Sequence, residues 1–249
     1  MIGDQDLERY SRQLLVPGFD FEAQQALGDA AVLIVGCGGL GCPVALYLAA
    51  AGVGSLRLVD DDKIEHSNLP RQIAYTEHDV GKYKADMLRD ALKARNSAVN
   101  VQSVIGRFND ETALGLLDGV QMVVDASDSR ATRALIDSYT ARLGLPWVMG
   151  AAVQMSGQNM VFDAMRKYGC YHCIAPENTD VGGSCTELGI LGPAVGAVAM
   201  TQALDVIKLL SGCGQPAFGS LRIRDFRRDE SYLLSVEKRG DCAVCGEEK

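Results

Sequence analysis

Ala31–Val35, with the sequence AVLIV, runs without a break into Gly36-Cys37-Gly38-Gly39-Leu40-Gly41, and the fold is legible from this stretch. Five apolar, mostly β-branched residues in a row suit a central strand buried on both faces. The glycines that follow fit Gly-x-Gly-x-x-Gly, and an apolar helix over residues 43–51 comes directly after them. In that context glycines let the backbone approach phosphates, and the next helix N-terminus offers free N–H groups and a positive dipole end. Asp60 lies nineteen residues beyond Gly41, where an acidic side chain can accept bonds from ribose hydroxyls. The strand-to-helix setting favours nucleotide binding over a merely structural turn, with Gly36, Gly38, Gly39 and Gly41 as the loop residues.

Outward from this loop, strands and helices alternate. Strands are predicted over 55–59, ending at Asp60-Asp61-Asp62, and over 99–105, 122–124 (ending at Asp125) and 147–151. Helices are predicted over 4–15, with Leu7, Tyr10 and Leu14 on one face, and over 21–27, 82–95, 110–117 and 131–143. The alternation predicts a Rossmann-like α/β fold, a mainly parallel sheet flanked by helices, with ligands at the carboxyl ends of its strands. Beyond about Gly157 the pattern changes to a strand over 158–162, a Gly- and Cys-rich loop, a long helix from Gly189, and strands over 221–224 and 232–236. This C-terminal elaboration either extends the sheet or caps it. We read residues 1–249 as one domain: N-terminal helices (1–30), a nucleotide-binding core (31–156) and the elaboration (157–249).

The 249 residues are 47% apolar and 22% charged, an ordinary globular composition. The net charge of −8 argues against wholesale binding to nucleic acid or to an anionic membrane. The polar N-terminus lacks the apolar core of a signal peptide. The apolar stretch over 189–210 runs only about thirteen residues before Gln202, Asp205 and Lys208 interrupt it, short of a membrane span. Its Gly192-x-x-x-Gly196 pair reads as close packing of a buried helix. The expectation is a soluble, cytoplasmic protein with no membrane and no nucleic-acid partner.

Asn68, Arg71, Gln72 and Lys84 follow soon after Asp60. Two cations and two amides beside a phosphate loop suit a triphosphate, Arg by forked bonds and Lys as a point charge; a solvated loop and exposed helix face is the bland alternative. Asp128, just past a strand end, can hold Mg²⁺ by one carboxylate, or can simply cap the helix over 131–143. Cys170-x-x-Cys173 and Cys242-x-x-Cys245 are chelating pairs, with sixty-eight residues between Cys173 and Cys242. Four thiolates make a closed tetrahedral Zn²⁺ site, with redox disulfides as the alternative; zinc leaves His172 a bystander and staples the chain's tail to its body. Cys185 stands apart in Asp180-Val-Gly-Gly-Ser-Cys185-Thr: a thiol presented to a macromolecular substrate, or an unreactive one. Cys37, Cys42 and Cys213 read as packed, inert thiols.

Taken together, Arg9-Tyr-Ser-Arg12-Gln13, the glycine loop, Ala51-Gly-Val-Gly54, Asp60-Asp-Asp62, Ser67-Asn-Leu-Pro-Arg-Gln72, Asp125-Ala-Ser-Asp128 and both Cys-x-x-Cys pairs resemble the ThiF/MoeB/HesA family, bacterial relatives of ubiquitin-activating enzymes. The resemblance implies a homodimer that uses ATP and Mg²⁺ to adenylylate the C-terminal Gly-Gly carboxylate of a small ubiquitin-like sulfur carrier (ThiS- or MoaD-like), releasing pyrophosphate. It implies that Asp60, and with it Asp62, serves the nucleotide, that Asn68, Arg71, Gln72 and Lys84 hold phosphates, and that Asp128 is the metal carboxylate. It also implies that Arg12 reaches the phosphates bound by the neighbouring subunit, and that Cys185 can form a persulfide link to the carrier in ThiF-like members. A separate sulfur donor, a cysteine desulfurase or rhodanese, is expected.

Departures from the family pattern are Pro70 for Gln, Tyr83 for Pro, and Ser127 and Ser129 for Thr and Asn. Asp60-Asp-Asp62 and residues 207–212 look ThiF-like, residues 18–21 MoeB-like; a thiamine or specialised pathway is slightly favoured over molybdenum cofactor. The competing classes are a NAD-dependent dehydrogenase, against which the Arg71/Lys84 cluster and the cysteine pairs weigh, and an inactive scaffold for a ubiquitin-like partner.

Overall fold

The computed structural model describes residues 4–175 and 188–246. One eight-stranded sheet runs in the order β3-β2-β1-β4-β5-β6-β7-β8. Its parallel half comprises β1 (Ala31–Val35), β2 (Ser55–Val59), β3 (Asn100–Val104), β4 (Met122–Asp125) and β5 (Trp147–Val153). The later strands β6 (Ser156–Phe162), β7 (Ser220–Asp225) and β8 (Glu230–Ser235) are antiparallel and extend the same sheet. The alternation in β1 sends Val32 and Ile34 to one core and Leu33 and Val35 to the other, all at most 4% exposed, so helices cover both faces.

Helices α1 (Asp4–Tyr10) and α2 (Phe21–Gly28) precede the sheet; α3 (Gly41–Ala51), α4 (Lys84–Arg95), α5 (Ala113–Leu117), α6 (Arg130–Leu143) and the short α7 (Tyr171–Ile174) follow among the strands. The long helix α8 (Gly192–Ser211) is, among the described residues, the one helix long and apolar enough to span a membrane, and it buries Val195, Val198, Ala199, Gln202, Asp205 and Val206 in the protein. Asp205 is paired there with Arg222 of β7.

Among the expected boundaries that shift, four have a clear local reason. The first helix stops at Tyr10 rather than Leu15, because the chain tightens into i→i−3 bonds from Gln13 and Val16 that turn Gln13 onto Gln24 and the Ala51 carbonyl. The helix expected from Asp110 starts at Ala113, since the Asn109 and Thr112 side chains occupy the preceding backbone groups. The long helix starts at Gly192 rather than Gly189, because Gly189 and Leu191 pair with the backbone of Gln154. Ser129, not Asp128, caps α6, its Oγ accepting from Thr132 N at 3.2 Å, which leaves Asp128 exposed.

Candidate nucleotide and metal sites

The strand order reverses at β1, whose neighbours are β2 and β4, and the loops leaving β1 and β4 meet there, at the place where ligands bind in such sheets. Gly36 adopts φ +96°, and a Cβ on it would stand 2.7 Å from Ala126 O, so only glycine permits this approach. Gly41 is pressed harder, since a Cβ there would lie 2.0 Å from Gly36 O. Leu40 caps α3 with no side-chain bond. Among the described residues, no acceptor meets the N–H groups of Gly38, Gly39, Leu40 or Gly41. Four open donors at a helix start form an anion cradle.

The residues singled out by sequence gather round this loop. Asp60 Oδ2 accepts from Cys37 N at 2.7 Å and Oδ1 from Asp62 N at 2.8 Å. Burial pushes the Asp60 carboxyl above its usual range, against the pull of those two N–H bonds and of Lys84. Lys84 Nζ, at the start of α4, sits 2.7 Å from Asp62 Oδ2 and is nearly buried, while Asp62 is exposed. Asn68 is buried with Oδ1 accepting from Glu65 N, which closes a short 3₁₀ turn. Arg71 donates to the Ser67 carbonyl at 2.9 Å, and its stem lies 3.5 Å from the Cβ position of Gly39. Gln72 is 3% exposed, its Nε2 lies 3.7 Å from the Cβ position of Gly38, and its Oε1 is buried with no hydrogen-bond partner. An unpaired buried amide oxygen beside an open anion cradle fits a ligand-facing role.

Arg12 stands apart, exposed in the turn after α1, while its neighbours are fixed: Arg9 donates to the Arg95 carbonyl and Tyr10 accepts from Asn96. Cys185 lies outside the described residues. Cys37 and Cys42 are fully buried, and burial pushes the Cys42 thiol up to about 12, in keeping with inert packing. Cys213 is only partly buried.

Several contributors to the site were not identified from sequence. Asp125, fully buried, accepts from Ser127 N and Oγ on one oxygen and from Arg133 Nε at 2.7 Å on the other. Arg133 also reaches the Ser127 carbonyl, so this ion pair shapes the loop that carries Asp128. The tyrosine hydroxyl of Tyr75 lies 2.7 Å from Cys37 O and 3.1 Å from Lys84 O. Gly192 lets α8 approach so closely that a Cβ would stand 2.4 Å from Pro70 O. An arginine eight residues past a strand-end aspartate was the one available signal; the other two contacts join residues with no pattern between them.

The departures noted in the sequence keep their local bonds. Ser127 Oγ still donates to Asp125, and Ser129 caps as Asn does. Tyr83 has φ −72°, within the range that proline would impose.

The four paired cysteines converge, their Sγ atoms all within 4.8 Å of one another. Cys170–Cys242 and Cys173–Cys245 stand at 3.5 Å and Cys170–Cys173 at 3.8 Å. A tetrahedron with Zn–S bonds of about 2.3 Å has edges of about 3.8 Å, so the cluster fits a zinc ion and is too open for disulfides. For Cys242 burial acts upward, but N–H groups of Cys245 and Val244 bring its thiol down to about 7. Burial raises Cys245 to about 12, and Cys170 is raised as well, so a full set of thiolates needs a cation among them. His172 Nδ1 faces Asp137 Oδ2 at 2.8 Å and is not a member of this four-sulfur set. Asp137 also meets Arg166 and accepts from Trp147 Nε1, so the knuckle is anchored on α6.

Comparison with known proteins bears on this geometry. The ThiF family profile matches residues 10–244. The chain is 38% identical over 248 residues to the molybdopterin-synthase adenylyltransferase of Salmonella typhimurium, covering 99% of each. It is 39% identical over 245 residues to the sulfur carrier protein ThiS adenylyltransferase of Escherichia coli, covering 98% of this chain and 97% of that one. Among solved structures, E. coli MccB with ATP superposes with a TM-score of 0.85 at 27% identity, covering 98% of this chain and 75% of MccB.

Proposed function

This chain belongs to the ThiF family, and on that premise we propose that it activates a ubiquitin-like sulfur carrier by ATP-dependent adenylylation of the carrier's C-terminal Gly-Gly carboxylate. It is a nucleotidyltransferase, in keeping with its adenylyltransferase relatives. The observation that carries the reading is the cradle of four open N–H donors at Gly38–Gly41, flanked by Arg71, Gln72 and Asp60.

In this reading the glycine loop takes phosphates, Asp60 the ribose with Asp62 beside it, and Asn68, Arg71, Gln72 and Lys84 the triphosphate. Asp128, exposed beyond the end of β4, would hold Mg²⁺ by its carboxylate, and the ion when bound would offset phosphate charge. The carrier carboxylate attacks the α-phosphorus in line and pyrophosphate departs. The nucleophile is already ionised, so no general base is needed; the residues act by positioning and charge compensation. Arg12, exposed and remote in sequence, serves the site of a second subunit in a homodimer. Cys185 acts later, in sulfur chemistry with a separate donor. The four cysteines hold structural Zn²⁺, and the enzyme works in the cytoplasm. Asp60-Asp61-Asp62 and residues 207–212 tilt the choice of carrier toward a thiamine or specialised pathway.

The test is ATP–pyrophosphate exchange by the purified protein with Mg²⁺ and a panel of Gly-Gly-ended carriers. Exchange should require one carrier, collapse in Arg71→Ala and survive in Cys185→Ala. ATP binding without exchange on any carrier would sink the proposed reaction.

A further inference from the structure

Three elements of the candidate nucleotide site come from separate parts of the chain: the glycine loop, the 67–72 turn and the start of α4 with Lys84. One side chain touches or adjoins all of them. Tyr75 is 6% exposed, and its backbone N–H bonds to Gln72 O at 3.1 Å, at the end of the 67–72 turn. Its hydroxyl faces Cys37 O at 2.7 Å, in the glycine loop, and Lys84 O at 3.1 Å, at the first residue of α4.

The bond to Cys37 O has a directional consequence. In a trans peptide the C=O and the following N–H point to opposite sides. A donor that holds the Cys37 carbonyl on the Tyr75 side therefore sends the Gly38 N–H to the other side, among the open donors of the cradle. Steric hindrance does little to keep that peptide from turning over. Gly38 has no Cβ, and the nearest atom to where one would be is Gln72 Nε2 at 3.7 Å. Turned over, the unit would present a carbonyl oxygen to an anion. The other donor in reach of the same carbonyl is Cys42 Sγ at 3.3 Å, and a thiol donates weakly.

We propose that Tyr75 is a positioning residue for the nucleotide: its hydroxyl fixes the Cys37–Gly38 peptide so that the Gly38 N–H faces phosphate, and ties that loop to the backbone of Lys84. The inference rests on the nucleotide reading of the site given above. It calls for no contact between Tyr75 and the nucleotide.

The test compares the full-length protein with Tyr75→Phe, which keeps the ring and removes the hydroxyl. Mg·ATP affinity is measured by calorimetry without carrier, alongside thermal unfolding. Thr140→Val, which removes a buried hydroxyl bonded to Ile136 O and Arg166 far along α6, serves as the stability control. Both variants should lose some thermal stability. Only Tyr75→Phe should weaken ATP binding, by about tenfold, and raise KM for ATP while KM for the carrier stays unchanged. ATP affinity within twofold of wild type in Tyr75→Phe, or an equal loss in Thr140→Val, overturns the inference alone. A wild-type protein that binds no ATP overturns the nucleotide reading and the inference with it. Should Tyr75→Phe not fold, a crystal structure of the wild-type protein with Mg·ATP decides instead: a Gly38 N–H on a phosphate oxygen with the Tyr75 hydroxyl kept on Cys37 O supports the inference, and a Gly38 N–H that meets no phosphate overturns it.

Discussion

Arg133 Nε donates to Asp125 Oδ2 across 2.7 Å, with the two side chains 9% and 0% exposed. Burial opposes the charge on Arg133, and Asp125 more than offsets it. Removing one partner of such a pair leaves an uncompensated buried charge, a loss of roughly 3–5 kcal/mol. Arg133→Leu should therefore lower the unfolding free energy measured by urea titration by an amount in that range. The Ser127 carbonyl loses a donor at the same time, so pyrophosphate exchange should fall in the surviving folded fraction. Asp125→Asn/Arg133→Met together should be destabilised less than Arg133→Leu alone.

Gly192 offers a test at a distance from any proposed ligand atom. A Cβ there would meet the Pro70 carbonyl oxygen at 2.4 Å, and because that neighbour is backbone rather than a flexible side chain, the 67–72 turn or α8 must move. Overpacking of this kind costs about 1–3 kcal/mol. Gly192→Ala should lose that much stability and, because Arg71 and Gln72 move with the turn, should also weaken ATP binding. Gly196→Ala, where the nearest atom to a new Cβ is the flexible Met200 tip at 3.9 Å, should do neither.

Asp60 predicts a pH signature. Its carboxyl is raised by burial, so between the ordinary carboxylate value of 3.8 and the raised folded value the native state binds more protons than the unfolded one. The stability contributed by this group is therefore fully present below 3.8 and is lost as pH rises through the folded value. Asp60→Asn removes the titration. The difference in unfolding free energy between wild type and variant should drift in the variant's favour as pH rises through that window, then level off. A difference that stays constant across the window would contradict the assignment.

Chelation should separate the cysteine cluster from the crevice. A metal held by the four cysteines would close a loop of about 70 residues between Cys173 and Cys242, and cross-links of that span contribute up to about 4 kcal/mol. A strong chelator, or Cys173→Ser, should release one zinc per chain by mass spectrometry and lower the melting temperature by several degrees. Metal retention should also weaken as pH falls, because protons compete with the ion for the four thiolates.

Much of this was legible in the sequence because the responsible patterns are local. The runs at Ala31–Val35 and Ser55–Val59 form strands with the expected limits, the first as an apolar run rich in β-branched residues and the second with Leu56 and Leu58 buried on either side of Arg57. The cysteine pairs converge as their spacing demanded. Helix ends were less legible: at Asn109–Thr112, side chains compete for the backbone groups a first turn would use, and at Gly189–Leu191 the competitor is the distant strand end at Gln154. The partners of Tyr75, Arg133 and Gly192 were not legible, even where close packing at Gly192 was, because they are chosen by tertiary packing. Nothing adjacent to Tyr75 announces that it will meet Cys37, thirty-eight residues away.

The close approaches around the glycine loop bear on how the protein is made. Residues 36–41 leave the ribosome early, yet Gly36 is backed by Ala126, and Gly39 lies against Val195, 3.0 Å from its Cβ position. The turn holding Arg71 and Gln72 is braced in turn by Gly192. A nascent chain thus carries its glycine loop as an unfinished part through most of synthesis, until α8 has been added. On the proposed nucleotide reading ATP should not template early folding, and truncated chains ending before α8 should be poor traps for cellular nucleotide.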